Sequence, residues 1–138
     1  MRRMNVIAVF SPNGREILLC RRKKPPYQGL LNLVGGKLES GEGGLTGAYR
    51  ELFEETGIAE NDIGLAHLMD FIYYVEGIVM EVYYGRLLHD VVLREEVNPL
   101  LWMDADQDYS DTGKFAGCGN LGHIVGLIQM YEHKTERN

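Results

Sequence analysis

Three glutamates, Glu51, Glu54 and Glu55, crowd a single short stretch of this chain. On a helix, at about 100° per residue, Glu55 lies about 40° from Glu51 and Glu54 about 60° to the other side, so the three carboxylates share a face. Such crowding costs an isolated helix roughly a few tenths of a kcal/mol per like-charged pair. A divalent cation reverses the sign of that cost. Hard cations such as Mg²⁺ take oxygen ligands, commonly one or two carboxylates together with substrate phosphates. An isolated Glu-Glu pair would read as a solvated helix face. Three carboxylates beside Gly35-Gly36, whose backbone a ligand can approach closely, favour a metal.

The elements that must position them can be read from periodicity. Gly43 to Thr56 is helical: Leu45, Ala48, Tyr49, Leu52 and Phe53 recur at offsets of three and four. Leu45, Tyr49, Leu52 and Thr56 fall on the expected core side, about 100–160° from Glu51. Gly57 stands where a C-terminal cap glycine belongs. Upstream, Val6–Phe10 and Ile17–Cys20 read as strands joined through the Ser11-Pro12-Asn13-Gly14 turn into a hairpin. Arg21 to Lys24 ends that apolar run, Pro25-Pro26 opens a loop, and the apolar run Leu30–Val34 stops at Gly35-Gly36. Downstream, Leu65–Val75 and Ile78–Leu88 form a second hairpin about Glu76-Gly77. Leu100–Met103 is a short strand, and Asn120 caps a last helix from Leu121 to about His133 whose Ile124, Val125, Leu127, Ile128 and Tyr131 face a core. Hairpins outnumber β-α-β alternation, which predicts a mixed sheet with helices packed on it rather than a doubly wound parallel sheet.

The 138 residues suit one domain spanning 1–138. Lys+Arg 14 against Asp+Glu 20 gives a net charge of −6, which argues against a partner that is a nucleic-acid backbone and lowers the expectation of any anionic ligand. Cys20 and Cys118 make no disulfide framework and have no zinc-site spacing; free thiols fit a reducing cytosol. The four histidines are scattered. The first apolar run ends at Phe10, too short for a signal peptide, and no stretch approaches the roughly 18 apolar residues of a membrane span. A cytoplasmic location without membrane contact is expected. Tyr73, Tyr74, Tyr83 and Tyr84 read most simply as strand residues. They also suit a subunit interface, so a homodimer stays open.

The segment Gly36 to Ile58 resembles the Nudix box, G-x5-E-x7-R-E-U-x-E-E-x-G-U with U apolar: Gly36, Glu42, Arg50, Glu51, Leu52, Glu54, Glu55, Gly57 and Ile58 fill every specified position. The resemblance implies an α/β fold of the Nudix α/β/α sandwich type, with a mixed β-sheet, one internal catalytic helix and a C-terminal helix. It implies hydrolysis of a nucleoside diphosphate linked to another group, with Mg²⁺ or Mn²⁺ as cofactor. Carried over by position, Glu51 and Glu55 are principal metal ligands, Glu54 a further one, and the carbonyl of Gly35 joins them. Arg50 pairs with a box glutamate, and Glu42 braces the loop. Glu96, in a stretch similar to the E-x-x-P of MutT-like purine triphosphatases, is either a further metal ligand or an exposed loop acid.

Asn32 sits in an N-x-x-G-G-K run similar to that of MutT-like enzymes, where the amide hydrogen-bonds the purine; a structural loop asparagine is the other reading. Arg21 and Lys23 are candidate phosphate contacts at a strand end, or solvated bases. Tyr27 is a candidate to stack on the base, and Lys37, in the same run, a further substrate contact. The paired aspartates that some oxidised-purine enzymes place after the last strand are missing around Lys114 to Asn120, with Asp111 and Asn120 as substitutes. The expected reaction converts a nucleoside triphosphate, preferably an oxidised purine one, to the monophosphate and pyrophosphate. The alternatives are a Nudix enzyme for a dinucleoside polyphosphate, nucleotide sugar or capped RNA, and a non-catalytic nucleotide-binding module. Gly35-Gly36-Lys37 is not a P-loop, since no Ser or Thr follows the lysine. The box holds five acids against two bases, Lys37 and Arg50, a net −3 that is half of the chain's −6. The acidity is concentrated where a metal is expected, and with cations bound a polyphosphate would be attracted there.

Overall fold

A computed structural model describes residues 1–117 and 119–137, and Cys118 lies outside them. In chain order the elements are β1 (Arg2–Phe10), β2 (Glu16–Arg21), β3 (Leu31–Asn32), α1 (Gly44–Thr56), a 3-10 turn at Glu60–Asp62, β4 (Ala66–Tyr73), β5 (Ile78–Arg86), β6 (Leu100–Asp104) and α2 (Asn120–Arg137). The strands form one mixed sheet in the order β3-β2-β1-β5-β4, with β6 on β2. Val6–Phe10 is continuously apolar because β1 is central and covered on both faces. Ile7 and Val9 pack in one cluster with Ala48 and Leu52 of α1. Val6, Ala8 and Phe10 pack in another with Leu121, Ile124, Val125 and Ile128 of α2. A helix on each face of a mixed sheet is the expected α/β/α sandwich. No helix among the described residues is long and apolar enough to cross a membrane.

The hairpin expected between β1 and β2 is only partly formed. Its turn is there, closed by Ser11 N–H on Glu16 O at 2.9 Å, but the strands pair only at Phe10 with Ile17 and then splay. The main partner of β1 is β5, parallel and in register from Arg2 with Ile78 to Phe10 with Arg86. The main partner of β2 is β6, antiparallel from Glu16 with Asp104 to Cys20 with Leu100. The segment after β3 enters the gap. Asn32 pairs with Cys20 of β2, then Val34 bridges Ile7 and Lys37 bridges Met4 of β1. Gly35-Gly36 is thereby carried across the split, onto the edge of β1.

The β4–β5 hairpin turns as expected, with Gly77 left-handed at φ 68° and its N–H on Tyr73 O at 2.9 Å. In α1, the residues buried are Gly47, Ala48, Leu52 and Thr56. With Glu51 at zero these span about −40° to 140°, so the buried arc takes in Glu51 and Glu55 instead of lying beside them. Leu45, expected toward the core, is 47% exposed, as is Phe53, and with Tyr49 they line an open groove of about 400 Å³. At α2, Asn120 is the first helical residue, and its side chain donates to Tyr73 Oη at 2.6 Å instead of capping. The helix continues to Arg137, past the expected end, and Tyr131 is exposed rather than core-facing.

Candidate active site

Three pieces meet at the split between β1 and β2: the Gly35-Gly36 crossing, one face of α1, and the segment between β5 and β6. Each is anchored locally. Asn5 of β1, 2% exposed, accepts the Gly36 N–H on Oδ1 at 2.9 Å, and its own N–H donates to Gly36 O at 2.8 Å. A methyl group at Gly35 would strike the Asn5 carbonyl, and one at Gly36 would strike the Glu51 carboxylate. Only glycine lets this crossing lie so close to both β1 and α1. α1 ends at Gly57, left-handed at φ 79°, with its N–H on Phe53 O. The third piece is strapped to that end. Arg94 N–H donates to Thr56 O at 2.8 Å, its Nη2 reaches Phe53 O at 3.3 Å, and its guanidinium lies over the Phe53 ring at 5.2 Å. A cation suits the negative end of a helix.

Arg50 is the hub. Nε and Nη2 form a fork on the Glu42 carboxylate at 2.7 and 2.8 Å. Nη1 reaches Glu51 and Glu54, each at 3.1 Å, and Nη2 also donates to Lys37 O at 3.1 Å. Glu42 also takes the Glu39 N–H, within the loop, at 3.0 Å. The Arg50 fork holds its carboxyl down at about 2. Glu51 behaves differently: burial raises its pKa despite the contact with Arg50. Glu55 is pushed up to about 7 by burial and by the charges of Glu51 and Glu96, against a hydrogen bond from Gly35 and the charge of Arg22. The Gly35 N–H stands 3.3 Å from Glu55 Oε2.

Of the five groups expected at a metal, Gly35, Glu51 and Glu55 share one corner. Glu96 joins Glu55 around a small cavity of about 30 Å³, with Val97, Asn98 and Leu100. Glu54 is half-exposed on the outer side of Arg50. Among the described residues no three His, Cys, Asp or Glu side chains converge as a ready cage.

The expected substrate contacts are more dispersed. Asn32 turns its Oδ1 to the Leu33 N–H at 2.8 Å. Arg21 donates to Gly29 O at 2.9 Å, beside the loop rather than the carboxylates. Lys23 is exposed, and its backbone N–H donates to Asn98 at 3.1 Å. Tyr27 is left-handed at φ 65° and 40% exposed. Lys37 is exposed beside the crossing. Asp111 accepts the Gly113 N–H at 2.9 Å in its own turn.

Sequence reading missed four groups. Arg22 is the base that acts on Glu55. Strand parity was the available signal, since Cys20 faces α1 and residue 22 continues that face. Asn5, Arg3 and Glu81 are polar residues in or beside apolar strands; Asn5 and Glu81 are buried, and only the strand register shows what they meet. Of the four tyrosines expected in strands, Tyr73, Tyr83 and Tyr84 are there, with Tyr83 buried, but Tyr74 falls in the β4–β5 turn, just past the end of β4, and is 76% exposed.

Residues 1–114 match the family model for the NUDIX domain. Solved structures share the fold at low identity. A Caenorhabditis elegans Ap4A hydrolase binary complex aligns with TM-score 0.76 and 17% identity, covering 95% of this chain and 98% of that one. The NUDIX domain of Shewanella oneidensis NrtR, complexed with ADP ribose, gives 0.72 and 15% over 94% and 86%. A MutT from work on Aliivibrio salmonicida and Vibrio cholerae gives 0.64 and 20% over 89% and 96%.

Proposed function

The chain belongs to the Nudix family of pyrophosphohydrolases, and we propose that it is a divalent-metal-dependent enzyme cleaving a nucleoside triphosphate, preferably a damaged purine one, to the monophosphate and pyrophosphate. The state of Glu55 carries this reading. Its carboxyl lies inside the buried arc of α1 with Glu51 and Glu96 as like-charged neighbours, and is held near 7. A bound cation would stabilise such a cluster. The donors are all hard oxygens, which fit Mg²⁺ or Mn²⁺. Glu51, Glu55, Glu54, Glu96 and the Gly35 carbonyl would hold it. Bound there, it would supply charge neutralisation at the diphosphate and acidify the attacking water.

The chain's own residues do the rest. Arg50 orients Glu51 and Glu54, and a glutamate of the cluster takes the proton of the water. We read Arg22, whose charge acts on Glu55, and Lys37, exposed beside the crossing, as the groups that meet phosphate oxygens; Arg21 and Lys23 are secondary candidates. For the base, the α2 face of the sheet offers half-buried Phe71 and Met80, with His123 edge-on to Phe71 at 6.3 Å and Asn120 on Tyr73. An amide both donates and accepts, which suits a purine edge, and this supports Asn120 and Asn32 as its readers. Tyr27 is the candidate to stack.

The test is turnover of a panel (8-oxo-dGTP, dGTP, ATP, Ap4A, ADP-ribose) with Mg²⁺ or Mn²⁺, the products identified by phosphorus NMR. The expected result is metal-dependent release of pyrophosphate from a triphosphate, abolished in Glu55→Gln. Preferred cleavage of Ap4A or ADP-ribose would move the substrate to another Nudix class. Tight binding without turnover would make the chain a nucleotide-binding module. Near-full activity in Glu55→Gln would sink the ligand assignment.

A further inference from the structure

We infer that Arg3 and Glu81 are a positioning pair: together they seat α1 on the sheet and, through Glu42 and Arg50, set the orientation of Glu51 and Glu54. The inference rests on the reading of those two glutamates as metal ligands. Neither residue of the pair lies in the box. The parallel register of β1 and β5 brings them together on the face under α1, where Arg3 pairs with Val79 and Asn5 with Glu81.

Glu81 is 7% exposed. Its Oε2 accepts from Arg3 Nε at 2.8 Å, and its Oε1 accepts from the Tyr83 hydroxyl at 2.9 Å. The first turn of α1 rests on these groups, for a methyl at Gly44 would strike both the Tyr83 hydroxyl and the Glu81 carboxylate. α1 has no side-chain cap at Gly43 and no acid in its own first turn. Negative charge at its positive end therefore comes from outside the helix, from Glu81 on the sheet beside Gly44 and from Glu42 of the loop beside Gly47. A carboxylate so buried needs a counter-charge, and Arg3 provides it.

Arg3 also reaches the loop. Its Nη1 donates to Glu42 O at 2.7 Å. The Glu42 carboxylate holds Arg50 by two bonds, and Arg50 holds Glu51 and Glu54. A continuous series of polar contacts thus runs from β5 to the candidate ligands, none longer than 3.1 Å. The apolar packing of α1, through Ala48 and Leu52, does not involve Arg3, whose side chain is 39% exposed. Loss of Arg3 should therefore misplace the carboxylates without unfolding the protein.

The test measures Mn²⁺ affinity by electron paramagnetic resonance, and kcat and KM at saturating metal, in Arg3→Met, Glu81→Gln, the double variant and Arg3→Lys. Arg2→Met, on the opposite face of β1, is the control. Arg3→Met and Glu81→Gln should each weaken Mn²⁺ binding and lower kcat by about 10-fold or more, the effect usual for groups that orient metal ligands, with KM for the nucleotide little changed. The double variant should be no worse than the poorer single one, because the two act in one series. Arg3→Lys, which keeps the charge, should recover part of the loss. Mn²⁺ affinity and kcat in Arg3→Met equal to those of Arg2→Met would overturn the inference. So would a lowered melting temperature with unchanged affinity, which would make the pair merely structural. Should Glu81→Gln fail to fold, the Arg3 variants decide the matter. A wild-type protein without turnover would sink the hydrolase reading, while the Mn²⁺ measurement would still judge the pair.

Discussion

Arg50 meets three carboxylates at once, and its planar fork is the reason it is an arginine. Lysine would keep the charge but lose the paired bonds to Glu42. Arg50→Lys should cut turnover by about 10-fold or more, which steady-state kinetics will check. The same fork has a signature in stability. Glu42, held at about 2 against an ordinary 4.5, adds stability that is present above 4.5 and lost as pH falls toward 2. The stability gap between wild type and Arg50→Met, measured by urea unfolding, should therefore shrink across that window. Glu55 has the opposite sign. Held at about 7 against an ordinary 4.5, it binds its proton more tightly in the fold than in the unfolded chain. In chelator, its contribution should fall as pH rises from 4.5 through 7. Glu55→Gln removes that slope, so the variant should gain on the wild type over that range. Equal slopes in the two proteins would show that Glu55 is not so displaced.

At the scale of elements, α1 shows what the sequence could and could not reveal. Its existence, its start near Gly43 and its end at Gly57 were legible, because period and cap are local. Its orientation was not. A helical wheel places Leu45 toward the core by its chemistry, whereas the sheet buries the arc centred near Glu55 and leaves Leu45 and Phe53 outside. The carboxylates of the box were legible from their crowding. Arg3, Asn5, Arg22 and Glu81 were not, because their partners are set by strand register and by the splay of β1 from β2. The glycine crossing sharpens the point: Gly36→Ala should push Glu51 aside and weaken Mn²⁺ binding severalfold, with the melting temperature as the companion measurement. At Gly57, where alanine must adopt a positive φ, Gly57→Ala should cost about 1 kcal/mol or more in unfolding experiments.

For the whole molecule, a ligand that binds only the fold adds stability by mass action. Mg²⁺ at a hundred times its dissociation constant should contribute about 2.7 kcal/mol, roughly 10 °C for a domain of this size; a chelator should reverse it, and calorimetry with and without Mg²⁺ reads the difference. The central pairing of the sheet has a consequence of another kind, in the order of assembly on the ribosome. β1 is made first, but its long partner is β5, and Arg2 waits for Ile78. Contacts so distant in sequence form late, after a costly loop closure. Until β5 emerges, the apolar Val6–Phe10 stretch has no sheet to enter, and the edge of β1 that receives Gly35-Gly36 is not yet fixed. The box helix can be synthesised long before the ground beneath it exists. Nascent chains halted before residue 78 should accordingly be recognised by chaperones and be readily digested, and protease resistance should arrive only when β5 has cleared the exit tunnel.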